Sequence, residues 1–208
     1  MTTMSSNIVR AGAPLGAARA AVVLVHGRGA SAEGMLGLAD AFDASDIAYV
    51  APQARSGSWY PQSFMAPIAQ NEPYLSNALT TLSDTVAKLE RQGMPAEKIV
   101  VLGFSQGACL ALEFAARNAR RYGGIVGLSG GLIGPDGTPR AYAGSLEGTP
   151  VFLGCSDVDF HIPLVRVNES AAVLKTLGAN VTEIIYPGMG HTVVQDEIDH
   201  VKSILKTL

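Results

Sequence analysis

The sequence predicts an α/β fold, a mostly parallel sheet with helices on both faces, formed by 208 residues as one domain. Two observations carry that reading. Apolar runs of four to six residues recur along the chain, continuous and not alternating, as strands covered on both faces require. Between them, apolar residues recur every three or four positions, the spacing of a one-sided helix.

Taken in order, residues 1–19 read as a lead-in, and the Ala/Gly-rich stretch from Ala11 to Ala21 as a loop into the first strong strand, Ala20–Val25. Residues 31–44 read as a helix and Ile47–Val50 as a strand. Residues 53–73, "QARSGSWYPQSFMAPIAQNEP", then form a loop suited to a substrate pocket. Leu75, Leu79, Leu82, Val86 and Leu89 mark a helix with Pro73 near its start and Gly93 just past its end. Ile99–Phe104 is a buried strand and Ala108–Ala116 a buried helix. Gly124–Leu128 and Pro150–Cys155 are further strands. Leu164, Val167, Ala171 and Leu174 mark a helix between Pro163 and Gly178. A strand at Val181–Tyr186 and an amphipathic helix through Val194, Ile198, Val201, Leu205 and Leu208 complete the chain.

Composition excludes several classes. With 48% hydrophobic and 16% charged residues, the chain is folded and globular, not disordered. A net charge of −3 and no run of Lys or Arg argue against nucleic acid. No apolar segment reaches the length of a membrane span. The start, "MTTMSSNIVRAGAPLG", lacks the apolar core of a signal peptide, so the cytoplasm is the expected compartment. Cys109 and Cys155 suit that compartment as buried free thiols. No C-x-x-C, H-E-x-x-H or internal repeat occurs, and the expected chemistry calls for no metal and no organic cofactor. A homodimer is compatible with the sequence.

The chemistry lies in loops at the carboxyl ends of the strands, where such sheets place their sites. Four carry unusual residues: "VHGRGAS" (25–31), "GFSQGA" (103–108), "GCSDVDFHIP" (154–163) and "YPGMGHT" (186–192). Ser105 stands in G-x-S-x-G between a strand and a helix, the context in which that pattern marks a nucleophile. A serine needs a base within hydrogen-bond reach, itself oriented by an acid. Of the four histidines, His26 opens the loop where an oxyanion donor is expected, and His200 falls on the polar side of the last helix. His161 lies only two residues from Asp159. His191 ends a glycine-punctuated loop after a strand, and it is the expected base. Asp157 and Asp159 both qualify as the acid, one of them being a turn or helix-start carboxylate. A metal site from Asp157, Asp159 and His161 is the competing reading, but no further ligands are spaced to complete it.

Together, His26-Gly27, "GFSQGA", "SDVDFHIP" and "YPGMGH" resemble the phospholipase/carboxylesterase group of α/β-hydrolases, which includes acyl-protein thioesterases. The likeness runs from about residue 20 to the end of the chain. It implies a compact α/β-hydrolase domain with its triad in the order Ser105, Asp159, His191, leaving Asp157 structural. It also implies an oxyanion hole built from the backbone N–H groups of Arg28 and Gln106.

The chain departs from those thioesterases at Arg28, where they usually carry an apolar residue. A cation there would favour a substrate with its own carboxylate. Trp59, Tyr60, Phe64 and Met65 are the expected pocket residues, but interleaved polar residues make residues 53–73 unlike a long-chain lipid site. The expected substrate is a small to medium carboxylic ester. The alternatives are an acyl-protein thioesterase or lysophospholipase and, in another class, a silent hydrolase fold used for binding.

Overall fold

The computed structural model describes residues 8–208. Seven strands form one sheet: β1 (Ile8–Gly12), β2 (Ala20–Val25), β3 (Ile47–Pro52), β4 (Ile99–Phe104), β5 (Gly124–Leu128), β6 (Pro150–Ser156) and β7 (Asn180–Tyr186). Their order across the sheet is β1-β3-β2-β4-β5-β6-β7, and every pairing is parallel except β1 with β3. The helices are α1 (Ala32–Asp40), α2 (Ile68–Asn71), α3 (Tyr74–Arg91), α4 (Gln106–Arg117), α5 (Leu164–Thr176) and α6 (Gln195–Lys206). Among the described residues, no helix is long and apolar enough to cross a membrane.

The continuous apolar runs have their explanation in two cores, one on each face. Along β2, Ala21, Val23 and Val25 face the core built with α3, α4 and α5. The alternate residues Ala20, Val22 and Leu24 face the core shared with α1 and α6. A central strand with helices on both sides has no solvent face to make polar.

One expectation fails at the amino end. Within the lead-in of residues 1–19, and running into the stretch from Ala11 read as a loop, Ile8–Gly12 is a strand, antiparallel to β3, with Ile8 opposite Pro52 and Gly12 opposite Ala48. It is an edge strand whose residues are only partly buried or exposed, so main-chain pairing holds it and leaves little hydrophobic pattern. A second difference is the short α2, inside the segment expected to be a loop.

Register places the rim. Val25 pairs with Gly103, Phe104 with Leu128, Leu128 with Gly154, and Ser156 with Tyr186. The carboxyl ends of these strands are thus level, and the loops that follow them meet at one edge of the sheet.

Candidate active site

Ser105 sits between β4 and α4 at φ 56°, ψ −120°, a left-handed conformation that side chains other than glycine rarely adopt. Holding it costs on the order of 1–3 kcal/mol, which the surroundings must supply. Its N–H donates to the Leu128 carbonyl at 3.0 Å, and its own carbonyl accepts from the Cys109 N–H at 3.0 Å. The flanking glycines are required by the turn. A Cβ on Gly103 would run into the Gly107 carbonyl, and one on Gly107 would strike the carbonyls of Val25 and His26. G-x-S-x-G is thus the steric signature of a strand reversing into a helix directly over its neighbour strand.

His191 Nε2 lies 2.8 Å from Ser105 Oγ, and His191 Nδ1 lies 2.7 Å from Asp159 Oδ2. With an ionised Asp159, Nδ1 carries the proton, which leaves Nε2 to accept the serine hydroxyl. Burial pushes the Asp159 carboxyl up, but hydrogen bonds from His191 and from the N–H groups of His161 and Ile162 outweigh it. The acid therefore sits below the usual carboxylate value and stays ionised. Cys155 Sγ approaches the same Oδ2 at 3.8 Å, so both carboxylate oxygens are occupied. Asp157 is placed elsewhere: its Oδ1 accepts from the Gly188 N–H at 2.8 Å, tying the acid loop to the His191 loop. With these oxygens committed to N–H donors, a metal held by Asp157, Asp159 and His161 has no support in the geometry. Among the described residues, no His, Cys, Asp and Glu cluster could hold a metal ion.

The N–H groups of Arg28 and Gln106 donate no hydrogen bond among the described residues. Gly27 brings the loop bearing Arg28 against Ser105, since a Cβ there would lie 3.4 Å from that of Ser105. Free donors beside a nucleophile, one of them opening a helix, suit a developing negative charge.

The side chains of these two residues have work that the sequence did not indicate. Gln106 Oε1 accepts from the Trp59 N–H at 2.9 Å, and its Nε2 donates to the Tyr60 carbonyl at 2.8 Å. Arg28 donates to Ser58 Oγ and to the carbonyls of Pro61 and Gln62. Its guanidinium therefore ties the loop after β2 to the 58–62 segment, and its acceptors are all neutral, with no carboxylate paired to it among the described residues.

His26 is wholly buried. Its Nε2 accepts from the Ala54 N–H at 3.0 Å, so Nδ1 is the protonated nitrogen and donates to the Gly27 carbonyl at 2.8 Å. Burial lowers its pKa and keeps it neutral. Trp59 Nε1 donates to the His26 carbonyl at 2.8 Å. His26 is thus a brace for the loop bearing the Arg28 N–H.

Trp59, Tyr60 and Phe64 are buried members of the core on the α3, α4 and α5 side, and only Met65 is partly exposed. Their side chains thus pack beneath the segment that carries them. Two surface cavities, of about 460 and 340 Å³, lie away from Ser105, one between α3 and α4 and one beside β1. His200 lies at the surface as expected, partly exposed and near Asp196, with its ring also stacked on Phe152 at 4.7 Å and 11° between planes. Cys109 and Cys155 are buried free thiols, each pushed up to about 12, chiefly by burial. Neither is available as a thiolate.

Glu197 is wholly buried in the first turn of α6, its carboxylate against Gly154 of β6. Its Oε2 accepts from the Val194 N–H at 2.9 Å, while its Oε1 has no partner among the described residues. Burial pushes the carboxyl up to about 7 from 4.5. A folded value above the unfolded one means a stability contribution that is full at low pH and lost as pH rises through about 7. The stability of Glu197→Gln relative to wild type should therefore improve by on the order of 2 kcal/mol between pH 5 and pH 9. Urea denaturation at the two pH values checks this.

A family model described as Phospholipase/Carboxylesterase matches residues 7–208. A solved phospholipase/carboxylesterase from Dyadobacter fermentans is 46% identical, with a TM-score of 0.93 and 99% of both chains covered. Acyl-protein thioesterase 1 of Saccharomyces cerevisiae is 29% identical over 96% of this chain and 97% of its own. The match to acyl-protein thioesterase 1 of Gibberella zeae is 35% identical but spans 55% of this chain and 49% of that protein. The chain therefore belongs to the phospholipase/carboxylesterase family and is, with it, a hydrolase of ester bonds.

Proposed function

We propose that this protein is a serine carboxylesterase acting on small to medium carboxylic esters through an acyl-enzyme. The observation that carries the reading is the unbroken line of hydrogen bonds from Ser105 Oγ through His191 to Asp159. Ser105 Oγ attacks the carbonyl carbon, and His191 Nε2 takes its proton. The N–H groups of Arg28 and Gln106 receive the oxyanion. Collapse of the tetrahedral intermediate expels the alcohol, which takes the proton from His191. Water, deprotonated by the same imidazole, then attacks the acyl-enzyme and releases the acid. Asp159 holds the tautomer and stabilises the imidazolium that forms at each stage. Two unpaired buried thiols suit a reducing compartment, in keeping with a cytoplasmic enzyme.

Acyl length separates this reading from the acyl-protein thioesterase that the Saccharomyces cerevisiae relative brings forward. A tunnel for a long acyl chain gains about 0.8 kcal/mol, roughly fourfold in affinity, for each methylene it buries. Here Trp59, Tyr60 and Phe64 already fill the apolar space beneath the 58–64 segment. Catalytic efficiency on nitrophenyl esters should rise from acetyl to a modest chain length and then fall. A continued rise to the longest acyl groups, with thioesters preferred at each length, would favour the thioesterase.

A further inference from the structure

In the esterase reading, the departing alcohol oxygen receives its proton from His191 Nε2. It must therefore sit within about 3 Å of that atom. A bulky alcohol extends beyond that point, far enough to meet the rings packed against the His191 imidazole. On the buried side stands Phe104, its ring 5.0 Å from that of His191. On the open side stands His161, edge-on at 4.7 Å and 67°, with Phe160 4.1 Å beyond it and 6.4 Å from His191.

Two features set this group apart. Phe160 is 81% exposed, and three of the four large exposed hydrophobics among the described residues lie close together in the chain, Val158 and Phe160 on this loop and Val165 at the start of α5. An exposed aromatic ring beside His191 is available as a contact surface for a bound group. The ring nitrogens of His161 make no hydrogen bond among the described residues, although its main-chain N–H donates to Asp159 Oδ1 at 2.8 Å. The acid that orients His191 thus also fixes the loop that carries the second imidazole.

We propose that Phe160 and His161 form a shelf that recognises the leaving group, and that the substrates are short acyl esters of alcohols bearing a flat, unsaturated ring. This rests on the serine-esterase reading. The aromatic residues of the 58–64 segment are packed into the core, whereas Phe160 and His161 offer two exposed rings beside His191 against which a planar group can lie. An aromatic contact of this kind contributes beyond the area it buries, about 0.5–1.5 kcal/mol, or two- to twelvefold.

The test compares benzyl acetate with cyclohexylmethyl acetate, esters of similar size that differ in the flatness of the alcohol. The ratio of their kcat/KM values is measured in wild type, Phe160→Leu and His161→Leu, substitutions that keep apolar bulk and remove the ring. Comparing the ratio across proteins cancels the intrinsic reactivity of the two esters. The ratio should favour benzyl in wild type and fall three- to tenfold in Phe160→Leu, with a smaller fall in His161→Leu. A ratio unchanged within twofold in both variants overturns the shelf, as does failure of wild type to hydrolyse either ester while cleaving nitrophenyl acetate. Loss of the esterase reading itself gives a different result: hydrolysis that persists in Ser105→Ala.

Discussion

Replacing Ser105 with alanine is expected to lower kcat by about 10⁵–10⁶-fold and to leave the fold in place. The magnitude follows from removing the group that forms the acyl-enzyme, after which the oxyanion donors and binding contacts give only a residue of catalysis. The fold should survive because Ser105 Oγ contacts one partner, His191 Nε2. The main-chain bonds that hold the turn, to Leu128 and from Cys109, do not involve the side chain. Loss of one hydrogen bond costs about 1 kcal/mol, which lowers Tm by roughly 2–4 °C in a chain of this size. Ester hydrolysis under pseudo-first-order conditions, with a thermal melt alongside, measures both. Activity within tenfold of wild type in a folded variant would remove Ser105 from the chemistry.

Asp159→Asn is expected to cost about 10⁴-fold in kcat, and His191→Ala at least as much. Asparagine can keep Oδ1 as the acceptor for the N–H groups of His161 and Ile162. It then turns its NH₂ toward His191 Nδ1 and forces the proton to Nε2. An Nε2–H cannot accept from Ser105, so the imidazole is present in the wrong tautomer. Asp157→Asn should cost less than tenfold, because an amide oxygen can still accept the Gly188 N–H. Circular dichroism verifies the fold of each variant. A larger loss of turnover in Asp157→Asn than in Asp159→Asn would reverse the two assignments.

The central strands were legible because burial on both faces leaves an uninterrupted apolar signal. The runs Ala20–Val25, Ile99–Phe104 and Gly124–Leu128 are strands with those bounds. β1 was not legible, because an edge strand with exposed residues owes its place to main-chain pairing. The same distinction explains the 53–73 segment. Aromatic residues interleaved with Gln, Ser and Asn read as a binding loop, but the aromatics pack inward and the polar groups satisfy the loop's own backbone. Asn71, wholly buried, accepts from the Gln62 N–H and donates to the Ser63 carbonyl. Gln106 and Arg28 reach into the same segment from outside it. Such long-range side-chain to main-chain bonds leave no period in a sequence.

The site was legible to different depths. Ser105 announces itself because the sterics of its turn demand the neighbouring glycines. His191 could be reached by elimination among four histidines. Asp157 and Asp159 are two residues apart on one loop, and their residue types and spacing did not separate them. What distinguishes their placement is the partner each meets across the rim, His191 for one and Gly188 for the other. Glu197 gave no signal, since a buried carboxyl in a helix looks like an exposed one, and His26 marked its loop without revealing that its imidazole is a buried brace.

The most direct test of the account is covalent. Incubation with a fluorophosphonate, followed by intact-mass and peptide mass spectrometry, should give one adduct per chain, on the peptide bearing Ser105. The adduct should be absent from Ser105→Ala and formed far more slowly in His191→Ala. An adduct on any other residue, or an enzyme that hydrolyses esters at full rate while unlabelled, would contradict a nucleophilic Ser105.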